Sequence, residues 1–183
     1  NGSVEDKFAI RRQFHPQLRR LWMEHPVLHE EAVIVGPFDA PIEERFTGGL
    51  KKLADTHING FTFLPLAKRR YFVRCSLDVL FLRREKPGKV FMHGDIDNRL
   101  KTLFDALKMP FPAIEIGNEI PGPDEDPFFV VLEDDEVIAD VSVTTDRLLD
   151  FPLDHQFTRD YAVLVINVKL QATQRGEWWH VFS

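Results

Sequence analysis

The sequence predicts a single α/β domain of the α+β type, a mixed β-sheet with helices packed on it. Three patterns predict it. Leu100, Leu103, Phe104 and Leu107 recur at helical spacing and stop before Pro110. Tyr71–Arg84 alternates at period two and is rich in β-branched and aromatic residues. Further short apolar runs follow at 128–132, 137–143 and 161–170. A length of 183 residues, 44% apolar and 28% charged, suits one globular domain with a sizeable core.

Taken in order, Val4–Glu24 reads as a helix that mixes an apolar stripe with a basic face, and Pro16 is expected to kink or divide it. Ala32–Phe38 reads as a short strand. Phe46–Asn59 is ambiguous, with Gly48-Gly49 as a breaker and a helical turn or two over 50–54. Residues 1–60 thus form an N-terminal, largely helical region. In the strand Tyr71–Arg84, Phe72, Arg74, Ser76, Asp78, Leu80 and Leu82 share one face, and Val73, Cys75, Leu77, Val79, Phe81 and Arg83 the other. Lys86–Lys89 reads as a turn and Val90–Met92 as the start of a return strand. A helix is expected over Asn98–Lys108. Residues 110–127 hold five of the twelve prolines and the acidic run Asp124-Glu125-Asp126, which marks an inserted loop. Tyr161–Leu170 reads as a central strand buried on both faces.

The net charge of −6 is unevenly spread. Residues 1–94 carry 16 Lys and Arg against 11 Asp and Glu; residues 95–140 carry 3 against 13. This predicts a carboxylate-dense centre that needs cations, beside a basic rim able to meet phosphates. Candidates for that rim are Lys68, Arg69, Arg70, Arg74, Arg83, Arg84, Lys86 and Lys89, with Arg11, Arg12, Arg19 and Arg20 on the first helix. One cysteine, Cys75, excludes an intramolecular disulfide and a Cys-rich zinc site. No run reaches the ~18 apolar residues of a membrane span. The opening Asn1–Asp6 does not read as a signal peptide, so a cytoplasmic protein with no membrane partner is expected.

The most informative stretch is His93-Gly94-Asp95-Ile96-Asp97-Asn98-Arg99-Leu100-Lys101. If the chain is extended as it approaches the helix, Asp95 and Asp97 point the same way. Lys101, four residues after Asp97, shares its helical face. A second acidic run, Glu133-Asp134-Asp135-Glu136, joins two predicted strands. Hard oxygen ligands of this kind suit Mg²⁺ or Mn²⁺. Asp135 beside Asp95 and Asp97 would cluster like charges and raise their pKa values unless a cation were present. Each piece has a plainer reading: a helix cap, a solvated turn, an ordinary i,i+4 ion pair.

Together they resemble the RusA family of Holliday junction resolvases. Its signature is an Asp-x-Asp-Asn-x-x-Lys run leading into a helix with Asp-Ala-Leu, then a later Asp-Asp followed by a strand. Here these are Asp95-Ile96-Asp97-Asn98-Arg99-Leu100-Lys101, Asp105-Ala106-Leu107 and Asp134-Asp135. The order of elements is similar from about Tyr71 to Leu170. The resemblance implies a homodimer and Mg²⁺-dependent (or Mn²⁺-dependent) phosphodiester cleavage in branched DNA. Asp95, Asp97 and Asp135 would be metal ligands, Asp134 would assist, and Lys101 would be the catalytic lysine.

The alternative is a non-catalytic member of the fold that binds a protein or nucleic-acid partner, in line with an acidic chain and an acidic loop. A small-molecule phosphohydrolase lacks support, because Gly48-Gly49 does not make a phosphate loop. The histidines form no ligand motif, although His93 is close enough to Asp95 to reach a metal's outer shell. Trp178-Trp179 reads as a docking element.

Overall fold

The computed structural model describes residues 2–83, 95–149 and 162–173. Three helices come first: α1 (Val4–Glu24), α2 (Pro26–Val35) and α3 (Ile42–Leu53). Helix α1 starts where a reciprocal cap forms. The Asp6 N–H donates to Ser3 Oγ at 3.1 Å, and the Ser3 N–H donates to the Asp6 carboxylate at 2.9 Å. The buried stripe of α1 is Phe8, Arg11, His15, Leu18 and Trp22, at helical spacing and with two polar members. Pro16 does not divide it; the helix runs unbroken to Glu24.

Two expectations for the next segment are corrected. Ala32–Phe38 is not a strand, since Ala32–Val35 ends α2, and Gly48-Gly49 lies inside α3 rather than breaking it. Packing is the reason. A Cβ on Gly49 would sit 1.7 Å from the Ala32 carbonyl oxygen, and one on Gly36 would sit 2.0 Å from that of Arg45. The two helices therefore meet backbone to backbone. That contact outweighs the ~1 kcal/mol helix penalty of a glycine.

The strands form two three-stranded mixed sheets. In the first, β2 (Phe61–Ala67) pairs antiparallel with β1 (Thr56–Ile58) and parallel with β4 (Phe128–Leu132). In the second, β3 (Val73–Arg83) is central. It pairs parallel with β5 (Ile138–Arg147) and antiparallel with β6 (Ala162–Ala172). Helix α4 (Asp95–Leu107) connects the two sheets in sequence. This is the predicted α+β class, with the strands divided between two sheets.

Strand β3 alternates as predicted: Val73, Cys75, Leu77, Val79, Phe81 and Arg83 are buried. Strand β6 corrects its prediction, since among the described residues it lies at a sheet edge and Val165 is 52% exposed. Leu164, Ile166, Val168 and Leu170 pack on the core, while Asn167, Lys169 and Gln171 occupy the alternate positions. The core has two parts. The larger joins α1–α4 to both sheets; the smaller is a cluster of Phe8, Phe61, Phe63, Met109, Ile116, Phe128 and Val130. The turn over 86–89, the return strand over 90–92 and Trp178-Trp179 lie outside the described residues. No helix among the described residues is long and apolar enough to cross a membrane.

Candidate functional site

The helical backbone begins at Asp95, so both Asp95 and Asp97 belong to the first turn of α4. This corrects the expectation of an extended approach. The shared direction of residues i and i+2 is a property of strands and is lost on a helix. The side chain of Asp95 is outside the described residues. Helix α4 buries Leu103, Ala106 and Leu107. That orientation leaves Asp97 and Lys101 exposed, four residues apart on one face as expected. Asn98 is exposed too, and its carbonyl accepts from Thr102 Oγ1 at 2.8 Å. Thr102 Oγ1 in turn accepts from the Gly2 N–H at 2.9 Å, which ties the start of the chain to this helix.

Asp135 lies at the other end. The Lys108 ammonium, just past the C-terminus of α4, donates to Asp135 Oδ2 at 2.9 Å. Lys108 follows Asp97 by eleven residues, roughly 16 Å along a helix axis. A second ruler agrees. Asn98 and Arg99 line a hollow with Phe81, whereas Asp135 precedes Ile138, which pairs with Cys75. Cys75 and Phe81 are six residues apart on β3, about 20 Å. One chain therefore does not bring Asp97 and Asp135 together.

The acidic turn is compensated by the chain's own cations. A hydrogen bond shared with Asp134, and then the Lys108 ammonium, hold the Asp135 carboxyl below the usual carboxylate range. Burial works to lower the pKa of Lys108, but Asp135 and Asp105 outweigh it and raise the ammonium above its ordinary value. Within one chain Asp135 meets Asp134 and Lys108 rather than Asp97, so the crowding expected to raise its pKa does not arise. Arg69 pairs with Asp134 at 3.4 Å and with Glu136 at 2.8 Å, and its backbone N–H donates to Glu133 at 2.7 Å. Hard oxygen donors suit Mg²⁺ or Mn²⁺, yet the described carboxylates of one chain do not fit a three-ligand site. No group of three His, Cys, Asp or Glu side chains able to hold a metal ion occurs among the described residues.

The basic rim is also largely committed within the fold. Lys68 is 1% exposed, and its ammonium donates to the Leu53 carbonyl and to Asp55, both at 2.6 Å. It is a structural lysine, not a phosphate contact; burial lowers its pKa, with Asp55 working in the opposite direction. Arg70 pairs with the same Asp55. Arg83 is buried.

On α1, the guanidinium of Arg11 is buried and donates to the carbonyls of Lys108 at 3.1 Å and Asp105 at 2.5 Å. It satisfies free carbonyls at the end of α4, and burial brings its pKa down to about 10. Arg12 pairs with Glu119 and Glu125, and Arg19 with Asp124. Arg20 pairs with Glu24. Of the expected rim, Arg74 is exposed and has no ion-pair partner among the described residues. Arg84, Lys86, Lys89 and His93 lie outside them.

Sequence reasoning missed two residues that organise this region. One is Lys108. The other is His15, whose Nδ1 accepts from the Phe129 N–H at 3.0 Å while its Nε2 lies 3.0 Å from the Asp124 carbonyl. Those partners require the neutral Nε2–H tautomer. The charge map pointed to neither, since Lys108 and Asp135 both lie in the acidic stretch and the neutral His15 meets backbone groups. Comparison with protein-family models, curated proteins and solved structures finds no match to this chain.

Proposed function

We propose that this protein is a RusA-like endonuclease that cleaves branched DNA with Mg²⁺ or Mn²⁺ and works as a homodimer. One observation carries the reading. The run Asp95-x-Asp97-Asn98-x-x-Lys101 opens α4 with Asp97 and Lys101 exposed on one face, and β4, Asp134-Asp135 and β5 follow in the order the family signature requires. Lys101 has no ion-pair partner among the described residues and could meet charge that develops on a scissile phosphate. Arg74 is an exposed candidate for backbone contact. Asp135 cannot join Asp97 within one chain. In a homodimer, the Asp135 of one copy could meet the Asp97 of the other.

The test is cleavage of a synthetic four-way junction in Mg²⁺ or Mn²⁺. Asp97→Asn and Lys101→Ala should each lower the rate at least about 100-fold. Equal cleavage by wild type and Asp97→Asn would sink the reading. Mixing the Asp97→Asn and Asp135→Asn proteins locates Asp135. If the site spans two copies, random exchange leaves one intact site in half of the dimers and restores about a quarter of wild-type activity. If Asp97 and Asp135 serve one site within a chain, no activity returns.

A second reading is a RusA-fold protein that binds a partner without cutting. The observation that favours it is the Lys108–Asp135 pair, which neutralises a proposed ligand from inside the fold. Absence of cleavage on junctions, flaps and single strands, together with tight junction binding, would select it.

A further inference from the structure

A hollow of about 450 Å³ lies away from α4, between α1, α3 and the loop that precedes β4. That is within the size range of small-molecule sites, about 300–1,000 Å³. Its floor is apolar and aromatic. The His29 ring stacks on Phe46 with centroids 4.4 Å apart, and Leu50 and Phe129 are buried beside them. His29 Nδ1 is buried with no hydrogen-bond partner, an unmet polar atom in the wall of the hollow. At the rim, Met23 is 53% and Ile42 is 64% exposed, so the apolar surface continues outward.

Three carboxylates and one cation line this rim, so its balance is negative. Glu43, Asp124 and Asp126 line it, and Arg19 is already paired with Asp124 at 3.2 Å. Neither Glu43 nor Asp126 has an ion-pair partner among the described residues. The flanking sequence has the same bias. Residues 24–49 carry six Asp and Glu against one Arg, and residues 110–127 carry five against none. A phosphate would be repelled here, whereas an ammonium or guanidinium would find carboxylates and the faces of aromatic rings.

We propose that this hollow is a binding site for an amphipathic cation, an ammonium or guanidinium group carried on an apolar body. The body would lie on Phe46, Leu50 and Phe129, and the charge would lie toward Glu43 and Asp126. This site stands apart from the nuclease reading and does not depend on it.

The test is NMR titration of the full chain with three probes of similar shape: 2-phenylethylamine, 2-phenylethanol and 3-phenylpropanoate. The amine should perturb Met23, Ile42 and Phe46 and bind about tenfold more tightly than the alcohol, and the carboxylate should not bind. Glu43→Gln with Asp126→Asn should abolish the preference for the amine while leaving the alcohol unchanged, which shows the hollow intact. Acetyl-Phe-Lys-amide forms a second arm. Tighter binding than the free amine assigns the site to a basic peptide side chain, and weaker binding assigns it to a small amine. Equal affinity for amine and alcohol, shifts confined to another face, no saturation by any probe at about 10 mM, or an unchanged preference in the double variant would each overturn the proposal.

Discussion

At its C-terminal end, α4 is held by charges paired within the fold. Arg11 caps two carbonyls, Lys7 pairs with Asp105 at 2.8 Å, and Lys108 pairs with Asp135. At its N-terminal end, Asp97 and Lys101 stand exposed on one face. The two ends draw on the same residue types and differ in what surrounds them. The C-terminal end abuts β4 through the Met109 N–H, which donates to the Leu132 carbonyl at 3.0 Å, so its polar groups are enclosed and most are paired, with Arg11 Nη1 and Glu115 Oε2 left without a hydrogen bond. At the N-terminal end, Asp97 and Lys101 are exposed and have no ion-pair partner among the described residues. Charges that hold the fold and charges left exposed are therefore separated by burial rather than by residue type.

Substitutions can break this comparison at several strengths. Arg11→Ala leaves two helix-terminal carbonyls unpaired in a buried position and should cost about 3 kcal/mol of unfolding free energy in urea at pH 7. A loss below about 1 kcal/mol would mean the guanidinium is dispensable.

The next effect is pH dependence through His15. Burial holds its pKa below the ordinary value, with the Asp124 carbonyl working the other way. The unfolded chain therefore binds a proton first as pH falls. Stability should be fully present above the unfolded pKa of about 6.5 and be lost as pH falls through the lower folded value. His15→Gln should flatten that slope in a series of urea midpoints; an unchanged slope would assign it to other groups.

Lys108→Ala should cost about 1 kcal/mol, because the pair is only partly enclosed. The Asp135 carboxyl should then titrate higher by NMR. Asp97→Asn and Lys101→Ala should change stability by no more than about 0.5 kcal/mol, as exposed groups do. Large destabilisation by either would place that residue in the fold rather than at a working surface.

The α+β class and most element types were legible in the sequence, because periodicity reports which face is buried. The alternation of β3 and the stripe of α4 are the clearest cases. What failed was long-range. Ala32–Val35 is apolar enough for a strand, and only the fit of Gly49 against Ala32 shows why it is a helix. Strand β6 is apolar enough to look central, but Asn167, Lys169 and Gln171 already marked one face as open.

The candidate site was legible as a motif and not as a geometry. Sequence order placed Asp135 after β4, and nothing local showed that Lys108 would take it. The basic rim was misread for the same reason. Arg12 and Arg19 meet Glu119, Asp124 and Glu125 more than a hundred residues away.

The most direct test of this account is a crystal structure grown with Mn²⁺, reading the distance between the Asp97 and Asp135 carboxylates of one chain. The two carboxylates should lie more than about 10 Å apart within a chain, with Asp135 still on Lys108 and any shared ion lying between two copies. Both carboxylates of a single chain on one ion, with metal–oxygen distances of about 2.0–2.2 Å, would contradict it.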